Sequence, residues 1–221
     1  MGVLSQFNAN DPLLVLPITL LTLFALGILL IDLMLSAEEK WVNPLLAFVG
    51  VLFAVKGVWN IQHWMQLNRS FSAGSLGMMD TLLVDRCAIY FWYLFLAATA
   101  VSILISAKYM KTEHENHGEY YALMLLSVVG MMCMAAGFDI VLIFIGLELM
   151  AISTYVLVGF LRRDRRSNEA ALKYLLLGAF SSGIFAYGLS LLYGLTGSTN
   201  LGDIGQRLGR IVARDPHNPI A

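Results

Sequence analysis

Long runs of apolar residues, separated by short polar stretches, dominate this sequence. Six runs are roughly 20 residues or longer, the length that an α-helix needs to cross the hydrocarbon core of a bilayer. The predicted spans lie near residues 12–35, 42–65, 80–106, 119–136, 138–161 and 168–193. No run alternates apolar and polar residues as the strands of a membrane barrel do. The pattern therefore predicts an all-α, polytopic transmembrane helix bundle with about six spans.

Composition agrees with this prediction. Hydrophobic residues make up 58% of the 221 residues and charged residues only 13%, whereas roughly a quarter of a soluble domain is charged. The net charge of -1 and the scattered basic residues exclude a nucleic-acid-binding surface. Cys87 and Cys133 lie alone in separate spans, without the spacing of a metal site or a disulfide framework, and we predict no bound metal.

Basic residues between the spans predict the orientation of the chain. Most of them follow the first, third and fifth spans: Lys40, Lys108, Lys111, Arg162, Arg163, Arg165 and Arg166. The segments after the second and fourth spans carry only Arg69. Because cytoplasmic loops are enriched in Lys and Arg, we expect the N-terminus to lie outside.

Residues 200–221 differ from the bundle that we predict over residues 1–199. Leu201, Ile204, Leu208 and Ile211 fall near one helical face, which predicts an amphipathic helix along the outer membrane surface. The following DPHNP predicts a loop. We interpret this segment as an external amphipathic tail or a linker toward a seventh span.

Three charged residues lie deep in the apolar runs: Lys56, Glu148 and Lys173. Glu148 is near the middle of IVLIFIGLELMAISTYVLVGFL. A charge there costs at least about 2.5–3.5 kcal/mol, so such residues are functional candidates. We predict that Glu148 takes up and releases a proton in the membrane. The alternative is a protonated Glu148 that hydrogen-bonds to a neighbouring helix and has only a structural role.

Lys173 is the second candidate for proton transfer. It lies about two turns inside the sixth span, roughly 10 Å nearer the cytoplasm than Glu148, so that water or a polar side chain is needed to link them. A structural role is also open, because Glu169 precedes it by four residues and such a pair stabilises a helix start. Ser167 or Asn168 is the expected cap of that helix.

Lys56, in VLFAVKGVW, is the third candidate. Its long stem could carry the ammonium group toward the interface instead of into a proton path. Five other charged residues lie near span ends, where capping or interfacial roles are expected: Asp32, Asp80, Asp85, Arg86 and Asp139.

One long stretch resembles a known family: GLELMAISTYVLVGFLRRDRRSNEAALKYLLLGAFSSGIFAYGLSLLYGLTGST. It is similar to the antiporter-like subunits of respiratory complex I, the proton-translocating NADH:quinone oxidoreductase, and more narrowly to subunit N, the subunit 2 family. Upstream, LLIDLM and the D-x-x-x-x-Y-F at 85–91 fit more loosely. The resemblance implies that this chain is the first part of a fourteen-helix protein built from two inverted repeats of five helices.

The resemblance also implies a function. It assigns Glu148 as the family's proton-handling carboxylate and places Lys173 in the same buried polar chain. No redox cofactor is expected here, because NADH, flavin, iron–sulfur clusters and quinone belong to partner subunits. The expected partners are other membrane subunits of complex I, including neighbouring antiporter-like subunits, and the lipid bilayer. The expected location is the bacterial plasma membrane, with the thylakoid membrane as the alternative.

Two other functions stay open at this point. One is a subunit of a multi-subunit cation/proton antiporter, a relative that has the same glutamate and lysine. The other is a purely structural membrane subunit, in which the buried charges only hold helices together.

Overall fold

The structure is a computed structural model that describes residues 11–36, 39–67, 75–78, 80–113 and 117–214, except for the side chains at 75, 212 and 214. These residues form seven helices and one hairpin: α1 Asp11–Asp32, α2 Val42–Leu67, β1 Ser75–Gly77, β2 Leu82–Val84, α3 Arg86–Thr112, α4 Gly118–Ala136, α5 Ile140–Val158, α6 Arg165–Thr196 and α7 Leu201–Arg214. Helices α1 to α6 are long and apolar enough to cross a membrane. The predicted all-α bundle with six spans is confirmed.

The third span begins later than the sequence pattern predicts. Residues 82–84, which we placed in a span starting at Asp80, instead form the second strand of the antiparallel hairpin. Helix α3 starts after Asp85, whose carboxylate accepts a hydrogen bond from the Ala88 amide at 2.7 Å. The sequence pattern missed the hairpin because a short apolar strand cannot be distinguished by periodicity from the start of an apolar helix.

The sixth span begins earlier than predicted and has a different cap. Helix α6 starts at Arg165, after Asp164, whose carboxylate accepts a hydrogen bond from the Arg166 amide at 2.9 Å. The expected caps, Ser167 and Asn168, instead donate side-chain hydrogen bonds to backbone carbonyls at the end of α5 and in the following loop. Both residues therefore hold the turn between the two helices.

The apolar core lies among α1 to α4. Helix α4 packs against α1, α2, α3 and α5. The fully buried Trp92 of α3 donates its indole hydrogen bond to the Met132 carbonyl of α4 at 2.9 Å, which satisfies its polar group inside the core. In contrast, Thr196 is the only buried residue of α6, and that helix packs chiefly along α5.

Hydrogen bonds tie α5, α7 and the hairpin together at one end of the bundle. The Asp139 carboxylate accepts one bond from the Val141 amide at 2.8 Å and another from the Thr199 hydroxyl at 2.5 Å. Asn200 donates to the Asp80 carbonyl at 3.0 Å. Arg207 of α7 donates to the Thr196 carbonyl at the end of α6. The segment predicted as an amphipathic tail is helical from Leu201 to Arg214, whereas the loop predicted at residues 215–219 lies outside the described residues.

Candidate functional site

Glu148 lies in the middle of α5, about 12 Å from the start of the helix and about 15 Å from its end. Its side chain is half-buried, and its Oε1 atom is inaccessible and has no hydrogen-bond partner. In the part of the chain that the structure describes, no ion pair reaches this carboxyl group. The hydrogen bond to a neighbouring helix, which a purely structural role requires, is therefore not present at Oε1.

Two glycines fix the position of this carboxyl group. A Cβ atom on Gly130 of α4 would lie 2.5 Å from the Gly146 carbonyl oxygen and 2.6 Å from the Met150 amide nitrogen. The backbones of α4 and α5 therefore touch on both sides of Glu148, as small residues allow in membrane bundles. This crossing determines both the depth and the rotation of α5.

Lys173 makes the helical ion pair that a structural role would use. Its Nζ atom lies 2.6 Å from Glu169 Oε1, and its side chain is 69% exposed. No ion pair or hydrogen bond joins Lys173 to Glu148 among the described side chains. The two groups are therefore separate within this chain, as the predicted spacing requires.

Three contacts set the register of the antiparallel pair α5 and α6: Gly159 beside Ala171, Tyr155 beside Tyr174, and Phe144 beside Phe185. In this register Glu148 is level with residues 181–182. Lys173 is eight or nine residues from that level, which corresponds to about 12–13 Å along the axis.

Along the α5–α6 pair, Tyr155 lies between the levels of Glu148 and Lys173, and it was not singled out from the sequence. Its ring packs edge-on against the Tyr174 ring, with centroids 4.9 Å apart and an interplanar angle of 89°. Its hydroxyl group lies against Gly178, at a position that a side chain there would overlap. The seven-residue spacing from Glu148, nearly two helical turns, is the sequence signal that could have identified it.

Lys56 lies apart from the other candidates. It is on the exposed face of α2 and makes no ion pair or hydrogen bond to any residue in the described ranges. Helix α2 packs mainly against α1 and α3, with a smaller contact to α4. The structure therefore brings Lys56 close to neither Glu148 nor Lys173.

A polar cluster lies at the end of the bundle where α1, α2 and α4 meet the loop after α5. Lys40 Nζ lies 3.7 Å from Asp32 Oδ2 and 3.2 Å from His117 Nδ1. The buried Asn43 donates to Asp32 Oδ1 at 2.5 Å. A neighbouring cavity of about 220 Å³ is lined by His117, Glu119, Phe160 and Arg162. Within the described ranges, no three His, Cys, Asp or Glu side chains are grouped as a metal site.

Comparison with known proteins supports the sequence resemblance. Residues 137–215 match the family described as NADH:quinone oxidoreductase/Mrp antiporter, transmembrane region. The chain is 56% identical to NADH-quinone oxidoreductase subunit N 1 of Koribacter versatilis, covering 97% of this chain and 42% of that protein. It is 35% identical to NAD(P)H-quinone oxidoreductase subunit 2 of a Synechocystis strain, covering 96% and 41% respectively.

Two solved structures share the fold. One is the archaeal membrane-bound sulfane sulfur reductase, with a TM-score of 0.67, 23% identity and coverage of 86% of this chain and 39% of that chain. The other is respiratory complex I from Thermus thermophilus with bound aureothin, with a TM-score of 0.66, 24% identity and coverage of 89% and 42%. At these identities the likeness concerns the fold alone.

The six helices that are long and apolar enough to cross a membrane, together with the matched family model, indicate a multi-pass, antiporter-like membrane protein. More narrowly, the chain belongs to the family of NADH-quinone oxidoreductase subunit N, also called subunit 2, which confirms the predicted resemblance. It spans about two fifths of the length of the curated relatives that it matches.

Proposed function

We propose that this chain forms part of a proton-translocating membrane subunit of a complex I-type NADH:quinone oxidoreductase, with Glu148 as the group that carries the proton. The observation that carries the proposal is the buried, unpartnered Oε1 atom of Glu148 in the middle of α5. A carboxyl group held there can bind a proton from one side of the membrane and release it to the other. The carboxyl group is then charged only from the release of one proton until the uptake of the next, which limits the cost of burial.

The protein is then part of an enzyme without performing redox chemistry itself. NADH, flavin, iron–sulfur clusters and quinone would be bound by partner subunits, and quinone reduction there would drive proton movement here. The names of the relatives, which are quinone oxidoreductase subunits, support this assignment. Its partners would be the other membrane subunits of the complex, including neighbouring antiporter-like subunits, and lipid.

The location and the division of the chain follow from the same assignment. We place the chain in a bacterial plasma membrane with its N-terminus outside; the cyanobacterial relatives support the thylakoid membrane as the alternative. Residues 1–199 would form the first transmembrane bundle. Residues 200–221, which begin with α7, would lie at the outer surface as a linker toward a seventh span.

Lys173 is proposed as the second proton-carrying group. The pair with Glu169 lies within one helix and its side chains are exposed in this chain, so rotation of the side chains is enough to separate the two groups. A Lys173→Gln variant should therefore lower proton pumping, whereas Glu169→Gln, which removes the same ion pair, should preserve it. Equal proton pumping by the two variants would mean that Lys173 has only a structural role.

A proton-transfer role of Lys56 is the remaining prediction. It is tested by proton pumping in a Lys56→Gln variant.

The decisive experiment is Glu148→Gln in the full-length protein, assembled in its enzyme complex in membrane vesicles. Glutamine keeps the size of the side chain and cannot carry the proton. We expect normal assembly by native mass spectrometry and a loss of NADH-driven proton uptake on the order of 10²-fold, the cost of removing a positioned acid–base group. Glu119→Gln, in the first turn of α4, is the matched control. Wild-type proton yield in an assembled Glu148→Gln complex would contradict the proposal.

A cation/proton antiporter subunit is the second candidate, because the matched family model includes Mrp antiporters. Proton exchange that requires Na⁺ or K⁺ and proceeds without NADH oxidation would favour it. A purely structural subunit predicts a third result, in which Glu148→Gln damages assembly and leaves the proton yield of the remaining complex unchanged.

A further inference from the structure

Tyr155 and Glu148 share one face of α5. The two residues are seven positions apart, about 20° short of two full turns, and their Cα atoms are separated by about 10.5 Å along the helix. The phenol and carboxyl groups lie within range of electrostatic interaction. The Tyr155 side chain is therefore the next large polar group on this face in the direction of Lys173.

The Tyr155 hydroxyl points back along α5 toward Glu148. Its ring meets Tyr174, whereas its hydroxyl reaches Gly178, one turn further along α6. Because the two helices are antiparallel, this step runs in the direction of Glu148 and covers about 6 Å of the 10.5 Å separation. Water would have to bridge the remaining gap between this hydroxyl group and the Glu148 carboxyl group.

Gly178 provides the space for this hydroxyl group. A Cβ atom at that position would overlap the phenol oxygen and lie 2.5 Å from Tyr155 Cζ. In contrast, a Cβ atom on Gly183 of the same helix would have no neighbour within 4 Å. A small residue is thus required at 178 for the orientation of Tyr155, while the exposed glycine at 183 has no comparable role.

On its other side, Tyr155 adjoins the Lys173 segment. Lys173 directly precedes Tyr174, the residue that packs on the Tyr155 ring. Its ammonium group is held by Glu169 in an exposed pair and has a flexible four-carbon stem. Rotation of this stem away from Glu169 would turn the ammonium group toward the Tyr155 hydroxyl. That hydroxyl lies at the level of Gly178, five residues or about 7.5 Å along the axis from Lys173, so that water must complete the contact.

We propose that the Tyr155 hydroxyl relays protons between Lys173 and Glu148, an inference that rests on the proposed function. A hydroxyl group can accept and donate at once. The phenol oxygen accepts a proton from the Lys173 ammonium through water while its own O–H proton passes, through the bridging water, to the Glu148 carboxylate. Rotation of the hydroxyl then restores the starting state. Tyr155 is neutral before and after, Lys173 loses one proton, and Glu148 gains one.

The test is Tyr155→Phe in the full-length protein within the complete enzyme, reconstituted in vesicles. We expect normal assembly, a proton-uptake rate several-fold lower, and an altered ratio of rates in H₂O and D₂O. The loss should be smaller than the roughly 10²-fold cost of deleting an acid–base group, because water can enter the space of the hydroxyl. Tyr187→Phe, which removes an exposed hydroxyl of α6, should match the wild type in both measurements.

Gly178→Ala is the second variant, and it keeps the hydroxyl while displacing it. It should lower the rate in the same way, with Gly183→Ala as its control. Wild-type rates and isotope ratios in assembled Tyr155→Phe, or in Gly178→Ala if the former does not assemble, would overturn the relay. Glu148→Gln in parallel separates the two hypotheses. If Glu148→Gln pumps normally, the proposed function fails; if it does not pump while Tyr155→Phe does, only the relay fails.

Discussion

Helices α4 and α6 are almost equally apolar, yet their surroundings differ completely. Their most apolar 18-residue windows have mean hydropathies of 1.6 and 1.8, and half of the α4 window is buried in the protein whereas none of the α6 window is. Hydropathy measures how favourably a side chain leaves water for an apolar environment, and lipid and protein interior are equally suitable as that environment. Apolarity therefore identifies a span, and packing details must decide what covers it.

The two contacts of α5 show the same difference at the site. On the α4 side, glycine brings backbone against backbone at Gly130 and Gly146. On the α6 side, aromatic rings and a single hydroxyl fill the contact, and Lys173 keeps an exposed partner. Glu148 is thus held by the close contact, while the groups that would exchange protons with it lie along the looser one.

Gly130→Ala should have the largest effect, because it disturbs the close contact between α4 and α5. The added methyl group would overlap the backbone of α5, which cannot move without shifting the whole helix, and overpacking of this kind costs about 1–3 kcal/mol. We expect a lower midpoint of thermal unfolding in detergent. Gly183→Ala, on the open face of α6, is the control and should not lower that midpoint. Equal midpoints for the two variants would mean that the α4–α5 crossing is not close-packed.

Asp139→Ala should have an intermediate effect. The Asp139 carboxylate caps α5 and accepts the hydrogen bond of Thr199. Loss of an N-cap costs about 1 kcal/mol, measurable as a change in the free energy of unfolding. Thr199→Val removes only the second bond and should cost less. If Thr199→Val is the more destabilising variant, the carboxylate does not act chiefly as a cap.

Glu169→Gln should have the smallest effect on stability. The Glu169–Lys173 pair is exposed in this chain and lies within one helix, and such pairs contribute about 0.3–0.5 kcal/mol. We expect an unfolding midpoint that is barely distinguishable from that of the wild type. A large loss of stability would show that α6 depends on this pair and would favour a structural role of Lys173.

Much of the fold could be predicted because its signals are local. Each span is a continuous apolar run, and the Glu169–Lys173 pair depends only on a spacing of four residues. The errors arose where local signals are ambiguous. The strand at residues 82–84 is apolar like the span that follows it, and Asp164 competes with Ser167 and Asn168 as a cap within one turn.

The sequence by itself determined that this chain crosses a membrane and carries a carboxyl group at mid-depth, because a continuous apolar run defines each span. The cost of burying a charge at that depth, which marks Glu148 as a functional candidate, does not depend on its neighbours. Only the tertiary structure decided which neighbours that group has. The close crossing at Gly130 and Gly146, the outward position of Lys56 and the seating of the Tyr155 hydroxyl on Gly178 all join residues on different helices or depend on how one helix is rotated against the next. Side-by-side packing of helices sets such contacts, and no spacing within a single run encodes them.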